Sequence, residues 1–225
     1  MQKKKIFIIL FFVIFGLTCW VYAYQLPKWF PFNKENALKE WQEKIFKNKV
    51  LYTVEATQDG GYLQAKSNNA CSGLIYKIKF WPKKNPMLSW KWKVTKFPDK
   101  ENNNKGGSWI EKDDYAGRVY VIFPSWYFMH TETIEYVWDQ DLPVETVITS
   151  PYFDKIKLIV VQSGKNNMSE WVFEERNIYQ DYEKAFGRAP TSRVGAIALM
   201  TDTDNTLSTA EALYKDIKVG YKNEK

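Results

Sequence analysis

The stretch Leu88-Ser89-Trp90-Lys91-Trp92-Lys93-Val94 alternates apolar and polar residues without a break. In an extended chain successive side chains point to opposite faces. Leu88, Trp90, Trp92 and Val94 therefore share one surface, and Ser89, Lys91 and Lys93 share the other. A helix would scatter the same residues around its axis. The segment reads as an antiparallel strand, buried on one side and wet on the other.

Runs of the same kind recur. Val50–Ala56 and Tyr62–Lys66 flank the turn signal Asp59-Gly60-Gly61 and read as a hairpin. Ser72–Phe80, Arg118–Phe123 and Thr133–Trp138 alternate in turn, with Val119, Val121 and Phe123 inward and Arg118 and Tyr120 outward. Lys157–Val161 and Val194–Thr201 are apolar on both faces and read as central strands, and Glu211–Val219 closes the chain. Helical signals are few. Asn33 as a cap, with Leu38, Trp41 and Ile45 on one face, predicts a short helix over 34–46, whose end also fits a strand. Asp181–Phe186, ended by Gly187, predicts one helical turn. About ten strands with one or two short helices predict an all-β, antiparallel, jelly-roll-like sandwich. The lone long polar stretch, 97–112, exceeds the usual loop length and predicts a surface or functional loop.

The chain divides into residues 1–23, a lead-in over 24–40, one sandwich domain over 41–220 and a polar tail over 221–225. Lys3, Lys4 and Lys5 precede an apolar run from Ile6 to Thr18, and Val21-Tyr22-Ala23 follows. That grammar predicts a secretory signal cut after Ala23. Left uncut, residues 6–24 are long enough for a membrane anchor with the lysines inside. Gly16-Leu17-Thr18-Cys19 offers a lipidation site, although Thr18 departs from the small residue usual before the cysteine. All three readings export the body, to the periplasm or another extracytoplasmic space. Membrane contact is expected only through this segment.

Half of the formal net charge of +6 belongs to those three lysines. The remaining lysines are scattered, so no nucleic-acid partner is expected. With Cys19 removed, Cys71 stands alone and no internal disulfide forms. One histidine, His130, excludes sites that need two imidazoles, and a Cys71/His130 nucleophile pair has nothing around it to mark a nucleophile.

Five long phrases, MLSWKWKV (87–94), KDDYAGRVYVIF (112–123), IEYVWDQDLP (134–143), IVVQSGKNNMSEWVFEERNIYQDYEKAFG (159–187) and IALMTDTDNTLSTAEALYKDIKV (197–219), resemble the bacterial exported family called domain of unknown function 3047. The resemblance runs from about Trp41 to Val219. It implies an exported bacterial protein and no particular chemistry. LYKDIKV is also similar to the closing strand of carbohydrate-binding jelly rolls, which implies that Asp216 helps hold a structural calcium.

Four groups of residues are candidates for chemistry. Asp202-Thr203-Asp204-Asn205-Thr206 opens like a calcium loop, but an EF-hand needs Gly sixth and Glu twelfth, where Leu207 and Leu213 stand. A turn made by Asp and Asn side chains, a calcium site at Asp202, Asp204 and Asp216, and a ligand contact through Asp204 and Asn205 all remain open. Asp113-Asp114 with Arg118 is either an ion pair pinning the long loop or a polar pocket at its mouth. On the 170–179 strand, parity groups Glu174 with Arg176, and Glu175 with Trp171 and Phe173. Glu175 then becomes an acid on an apolar face, either paired or raised in pKa. Tyr120, Trp126, Tyr127 and Trp138 are candidates for a sugar-stacking platform, against the plainer reading of core aromatics.

The sequence thus predicts an exported ligand-binding sandwich, with carbohydrate or another extracytoplasmic small molecule as ligand. The expected contacts are Asp114, Arg118, Tyr120, Trp171, Glu174, Arg176, Asp204 and Asn205. The alternative is a glycan hydrolase or lyase using Glu175 and Asp114. A third is a structural envelope protein without small ligand. No cofactor is expected beyond the calcium.

Overall fold

The computed structural model describes residues 26–58, 60–100 and 113–221. The proposed signal segment, Asp59 and most of the 97–112 loop lie outside the described residues. In chain order the strands are β1 Lys28–Phe30, β2 Trp41–Lys47, β3 Leu51–Thr57, β4 Gly60–Asn68, β5 Cys71–Phe80, β6 Met87–Lys96 and β7 Gly117–Phe123. They continue as β8 Glu132–Asp139, β9 Val147–Thr149, β10 Ile156–Ser163, β11 Val172–Asn177, β12 Val194–Met200 and β13 Thr209–Val219. One helix, α1 Ile178–Phe186, follows β11.

These strands form two packed sheets. The first runs β11-β6-β13-β4-β3, with β1 added on β13. The second runs β2-β5-β12-β7-β8-β10-β9. Pairing is antiparallel except between β8 and β10. The alternating β6 places Trp90 and Trp92 inward, where Trp90 meets Tyr136 at 5.3 Å and Trp92 meets Trp138 at 5.7 Å across the gap. Such ring pairs add about 0.5–1.5 kcal/mol each beyond the area they bury. Gly117 on β7 lets the Trp92 ring come close, since a β-carbon there would stand 3.0 Å from it. The architecture is the antiparallel-dominated β-sandwich expected from the alternation.

Three expectations are corrected. Residues 41–47 are strand, because Trp41 is buried against Phe30 and Tyr76 while the backbone pairs with β5 as a sheet edge. The Leu38/Trp41/Ile45 spacing matches a helix only because an edge strand needs a single inward anchor. Lys157–Val161 lies in β10, next to the sheet margin rather than at its centre. It is apolar on both faces because a second small cluster, Tyr115, Val137, Leu158 and Val160, covers its outer side. The helical turn expected at Asp181–Phe186 extends back to Ile178. Asn177 accepts from the N–H groups of Tyr179 and Gln180, and Gly187 closes it at φ 70°, a left-handed conformation that suits glycine.

Candidate functional site

β7 and β8 turn alternate residues away from the core, onto the outer face of the seven-stranded sheet. Val119, Val121 and Phe123 point in, so Arg118, Tyr120 and Ile122 point out. On β8, Ile134, Tyr136 and Trp138 point in, and Glu135 points out beside Arg118. The segment 113–115 enters β7, and 201–206 leaves β12, at the same end of this face. The acids on these two segments therefore meet.

Arg118 is only 4% exposed. Its Nε donates to Glu135 and one Nη donates to Asp202, with Asp113 Oδ2 at 3.6 Å from the other. Asp202 also accepts the Tyr115 N–H at 3.0 Å. The guanidinium carbon lies 4.8 Å from the Tyr115 ring centroid. Asp114 faces the other way. Its Oδ2 accepts both the N–H and the hydroxyl of Thr206 at 2.6 Å, and its Oδ1 accepts from Asn205 at 3.3 Å. The ion pairs of Arg118 are thus made by Glu135, Asp202 and Asp113, whereas Asp114, expected as its partner, staples the 202–206 turn. Tyr152 adds a bond from its hydroxyl to Asn205 at 2.7 Å.

Three buried acids, Asp113, Glu135 and Asp202, thus surround one buried guanidinium, and a fourth, Asp114, is buried beside them. Such an excess raises carboxyl pKa values. Burial pushes Asp113 up to about 6, opposed by Arg118 and reinforced by Glu135 and Asp114. Burial also lifts Asp202 well above its usual range, against the pull of Arg118. Half-buried Asp204 is raised too, first by burial and then by Asp114. Asp113 Oδ1 makes no hydrogen bond among the described residues.

The calcium reading does not fit these residues. Asp216 belongs to β13, in the other sheet, where it pairs with Lys91 at 3.2 Å. The donors near Asp202 and Asp204 are completed by the Cys71 thiol, all within 4.8 Å of one another. Calcium takes hard oxygens rather than sulfur, and both Asp202 oxygens already serve Arg118 and Tyr115. Burial pushes the Cys71 thiol up as well, away from thiolate.

The 171–176 segment does not join this cluster. β11 is the margin of the other sheet, and its parity is opposite to expectation. Phe173 and Glu175 face solvent, while Val172, Glu174 and Arg176 face inward. Trp171 lies on the outer side, with Lys215 and Lys93 4.3 and 5.0 Å from its ring centroid and Tyr62 at 6.0 Å. Glu175 is exposed. Burial raises Glu174 to about 7, while Trp92 and Arg176 pull it down. Arg176 ties α1, through Asp181 at 2.6 Å, to the segment before β9, through Glu145 at 2.5 Å. Glu145, held by Arg176 and Lys184, falls to about 2. The two candidate catalytic acids, Glu175 and Asp114, therefore sit on different sheets. Glu135 and the ionic role of Asp202 were missed; a single acid inside the apolar run Ile134–Trp138 was the available signal.

Of the expected sugar platform, Trp138 is core. Tyr120 is half-buried on the outer face, its hydroxyl 3.3 Å from Met200 sulfur. Trp126 and Tyr127 lie on the loop after β7, and Trp126 is 94% exposed. It borders a polar recess of about 630 Å³ with Ser125, His130, Glu132, Lys155, Arg188, Thr191 and Ser192. Among the described residues no helix is long and apolar enough to cross a membrane.

A family model described as "Protein of unknown function (DUF3047)" matches residues 39–218. No curated protein sequence matches the chain. Solved structures with a similar arrangement include the family 30 carbohydrate-binding module of a Clostridium thermocellum cellulosomal cellulase, at 7% identity and TM-score 0.46, covering 82% of this chain and 93% of that one. A cellulase derived from Rhodothermus marinus Cel12A is similar at 9% identity and TM-score 0.47, covering 80% and 95%. The glycoside hydrolase domain of Endo-D from Streptococcus pneumoniae R6 is similar at 9% identity and TM-score 0.42 over 82% of this chain, which spans 22% of that structure's length. These values transfer no ligand and no residue role.

Proposed function

The chain belongs to the DUF3047 family, and from that premise we propose that it is an exported ligand-binding β-sandwich protein with carbohydrate as its leading ligand class. One observation carries the carbohydrate reading: a nearly fully exposed Trp126 standing at the rim of a polar recess of about 630 Å³. Ligand sites are concave and commonly a few hundred Å³. A large apolar ring left in water is informative where a lone exposed leucine is not. Sugar rings have apolar C–H faces that lie on indole, and hydroxyls that need partners of the kind supplied by Ser125, Lys155, Arg188 and Ser192. The buried Arg118 cluster serves this reading as scaffold, since its groups bond one another. Export rests on the Lys3–Lys5 and Ile6–Thr18 grammar.

The test is a glycan array with the full chain, followed by calorimetric titration of any hit. Binding that weakens at least tenfold in Trp126→Ala supports the reading, and binding unchanged in that variant overturns the placement. Reducing-sugar release from a hit would move the protein to the hydrolase reading, whose two candidate acids lie on different sheets. Cell fractionation with mass measurement of the recovered chain tests export and cleavage after Ala23.

A further inference from the structure

A sugar does not account for the second concavity of the outer face. Beside the Arg118 cluster, across β2, β5, β12, β7 and the start of β8, runs a trough of about 220 Å³. Phe46, Ile75, Tyr120, Ile122, Phe153 and Met200 line it. Antiparallel sheets with one solvated face put polar residues there. Here the outward positions of three neighbouring strands are instead Ile75 on β5, Ala198 and Met200 on β12, and Tyr120 and Ile122 on β7. Of the three hydroxyl residues that line it, Tyr120 turns its hydroxyl to Met200 sulfur, Thr131 accepts the Ser125 N–H, and Thr133 is buried at the margin. A pyranose placed here would lose hydrogen bonds to water and gain almost none, at a cost of about 1–3 kcal/mol for each polar group left unpaired.

The rim is charged, and of one sign. Lys44 on β2 borders the trough. Lys77 and Lys79 on β5 point to the same outer face, because Tyr76, Ile78 and Phe80 point inward. None of these three lysines makes an ion pair among the described residues. Of the acids on this face, Glu135 is engaged with Arg118 and Asp139 with Lys100, and Asp204 lies beside Cys71 at the Arg118 end rather than on the trough lining. An apolar floor with an unpaired basic margin complements a molecule with an apolar body and an anionic head. The volume is below that usual for drug-sized ligands and suits a single slender chain. We propose that this trough binds one acyl chain bearing an anionic head group, with the chain against Ile75, Ile122 and Met200 and the head at Lys44, the lysine that borders it. This site is separate from the recess at Trp126, and either can stand without the other.

Calorimetric titration of the detergent-free full chain with sodium octanoate, decanoate and laurate, each below its micelle concentration, tests the proposal. Affinity is expected to rise about fourfold per methylene until the trough is full, because each buried CH₂ adds a fixed increment. Decanol, with the same tail and no charge, is expected to bind about tenfold more weakly than decanoate, and Lys44→Gln is expected to remove that difference. Ala198→Phe fills the floor and is expected to lower decanoate affinity at least tenfold. Phe46→Asp, at a position 58% exposed, repeats the test without touching a central strand. Affinities independent of chain length, or undiminished in Phe46→Asp, overturn the proposal. So does sedimentation showing a dimer that Phe46→Asp dissociates, since a second copy would then be the occupant.

Discussion

Removing the guanidinium from the charged cluster tests the physical account of it most directly. Arg118→Met keeps a long apolar stem of similar reach and deletes the cation. Asp113, Glu135 and Asp202 then lose the charge that all three face, in a region where each is at most 4% exposed. Breaking a buried ion pair by removing one partner costs about 3–5 kcal/mol, because the surviving charge is left uncompensated. For a domain of this size that is a large fraction of a total stability of about 5–15 kcal/mol. It corresponds to a fall in Tm of roughly 6–20 °C.

The pH dependence gives the sign. Arg118 holds the Asp113 and Asp202 carboxyls down against burial. Without it both rise further, so the folded variant binds protons that the unfolded chain does not. Its deficit is therefore largest at pH 8 and shrinks as pH falls toward 5. Asp202→Asn added to Arg118→Met removes one orphaned charge, and the double variant is expected to be more stable than the sum of the two single losses implies. Urea denaturation of the four proteins at pH 8 and pH 5 measures all of this. A loss below about 1 kcal/mol at pH 8, or a deficit that does not shrink at pH 5, would refute the reasoning.

Three further outcomes are expected. Asp113, raised from 3.8 to about 6, and Glu174, raised from 4.5 to about 7, are acids with elevated folded pKa values, so stability falls as pH rises through those windows; Asp113→Asn removes its share, read as a flatter profile of urea midpoint between pH 4 and 6. Glu145 works in the opposite sense: its partly exposed contribution, screened by water, is kept at neutral pH and lost only as pH falls from 4.5 to about 2, which Glu145→Gln abolishes in an acid titration. Gly61→Ala places a β-carbon 2.0 Å from the Phe32 carbonyl oxygen and is expected to cost at least about 1–3 kcal/mol by urea denaturation, whereas Gly164→Ala, with open space around it but φ 74°, carries only the backbone cost of about 1 kcal/mol.

Strands with one clean face could be read directly from the sequence, because a period of two has no competing explanation over seven residues. Leu88–Val94 is the case in point, and β7 and β8 follow it. The ambiguities arose where a single apolar anchor fits two periods, as Trp41 does, or where tertiary cover makes both faces apolar, as over β10. The parity of β11 is the reverse of that expected, because its apolar Phe173 faces solvent. The sheet instead buries Glu174 and Arg176, and Asp181 and Glu145 neutralise Arg176. No rule of local hydrophobicity contains that long-range neutralisation. The meeting of 113–118 with 202–206 follows from the pairing of β7 with β12, which no local pattern contains. The Arg118 partner Glu135 is not legible locally either, since an ion pair across a hairpin depends on register. Tyr120 pairs with Glu135 and Arg118 with Val137, and one residue of slip would have turned the acid into the core.

That register explains what the charged cluster contributes beyond energy. A buried salt bridge is often no more stabilising than a well-packed apolar replacement. Its geometry, however, is demanding: Arg118 reaches Glu135 on β8, Asp202 after β12 and Asp113 before β7 only when all three segments stand in one relation. The same outward row of β7 continues from Arg118 to Tyr120 and Ile122, which line the apolar trough. Slipping β7 by one residue would bury Arg118 between the sheets and remove both trough residues together. The cluster thus excludes the registers in which the outer face would lose its concavity. An apolar substitute, indifferent to direction, would not discriminate among them so sharply. Asp202, at the start of the 202–206 turn, thus acts as part of a lock on the sheet that carries the proposed trough, and in that proposal recognition belongs to the apolar residues beside it.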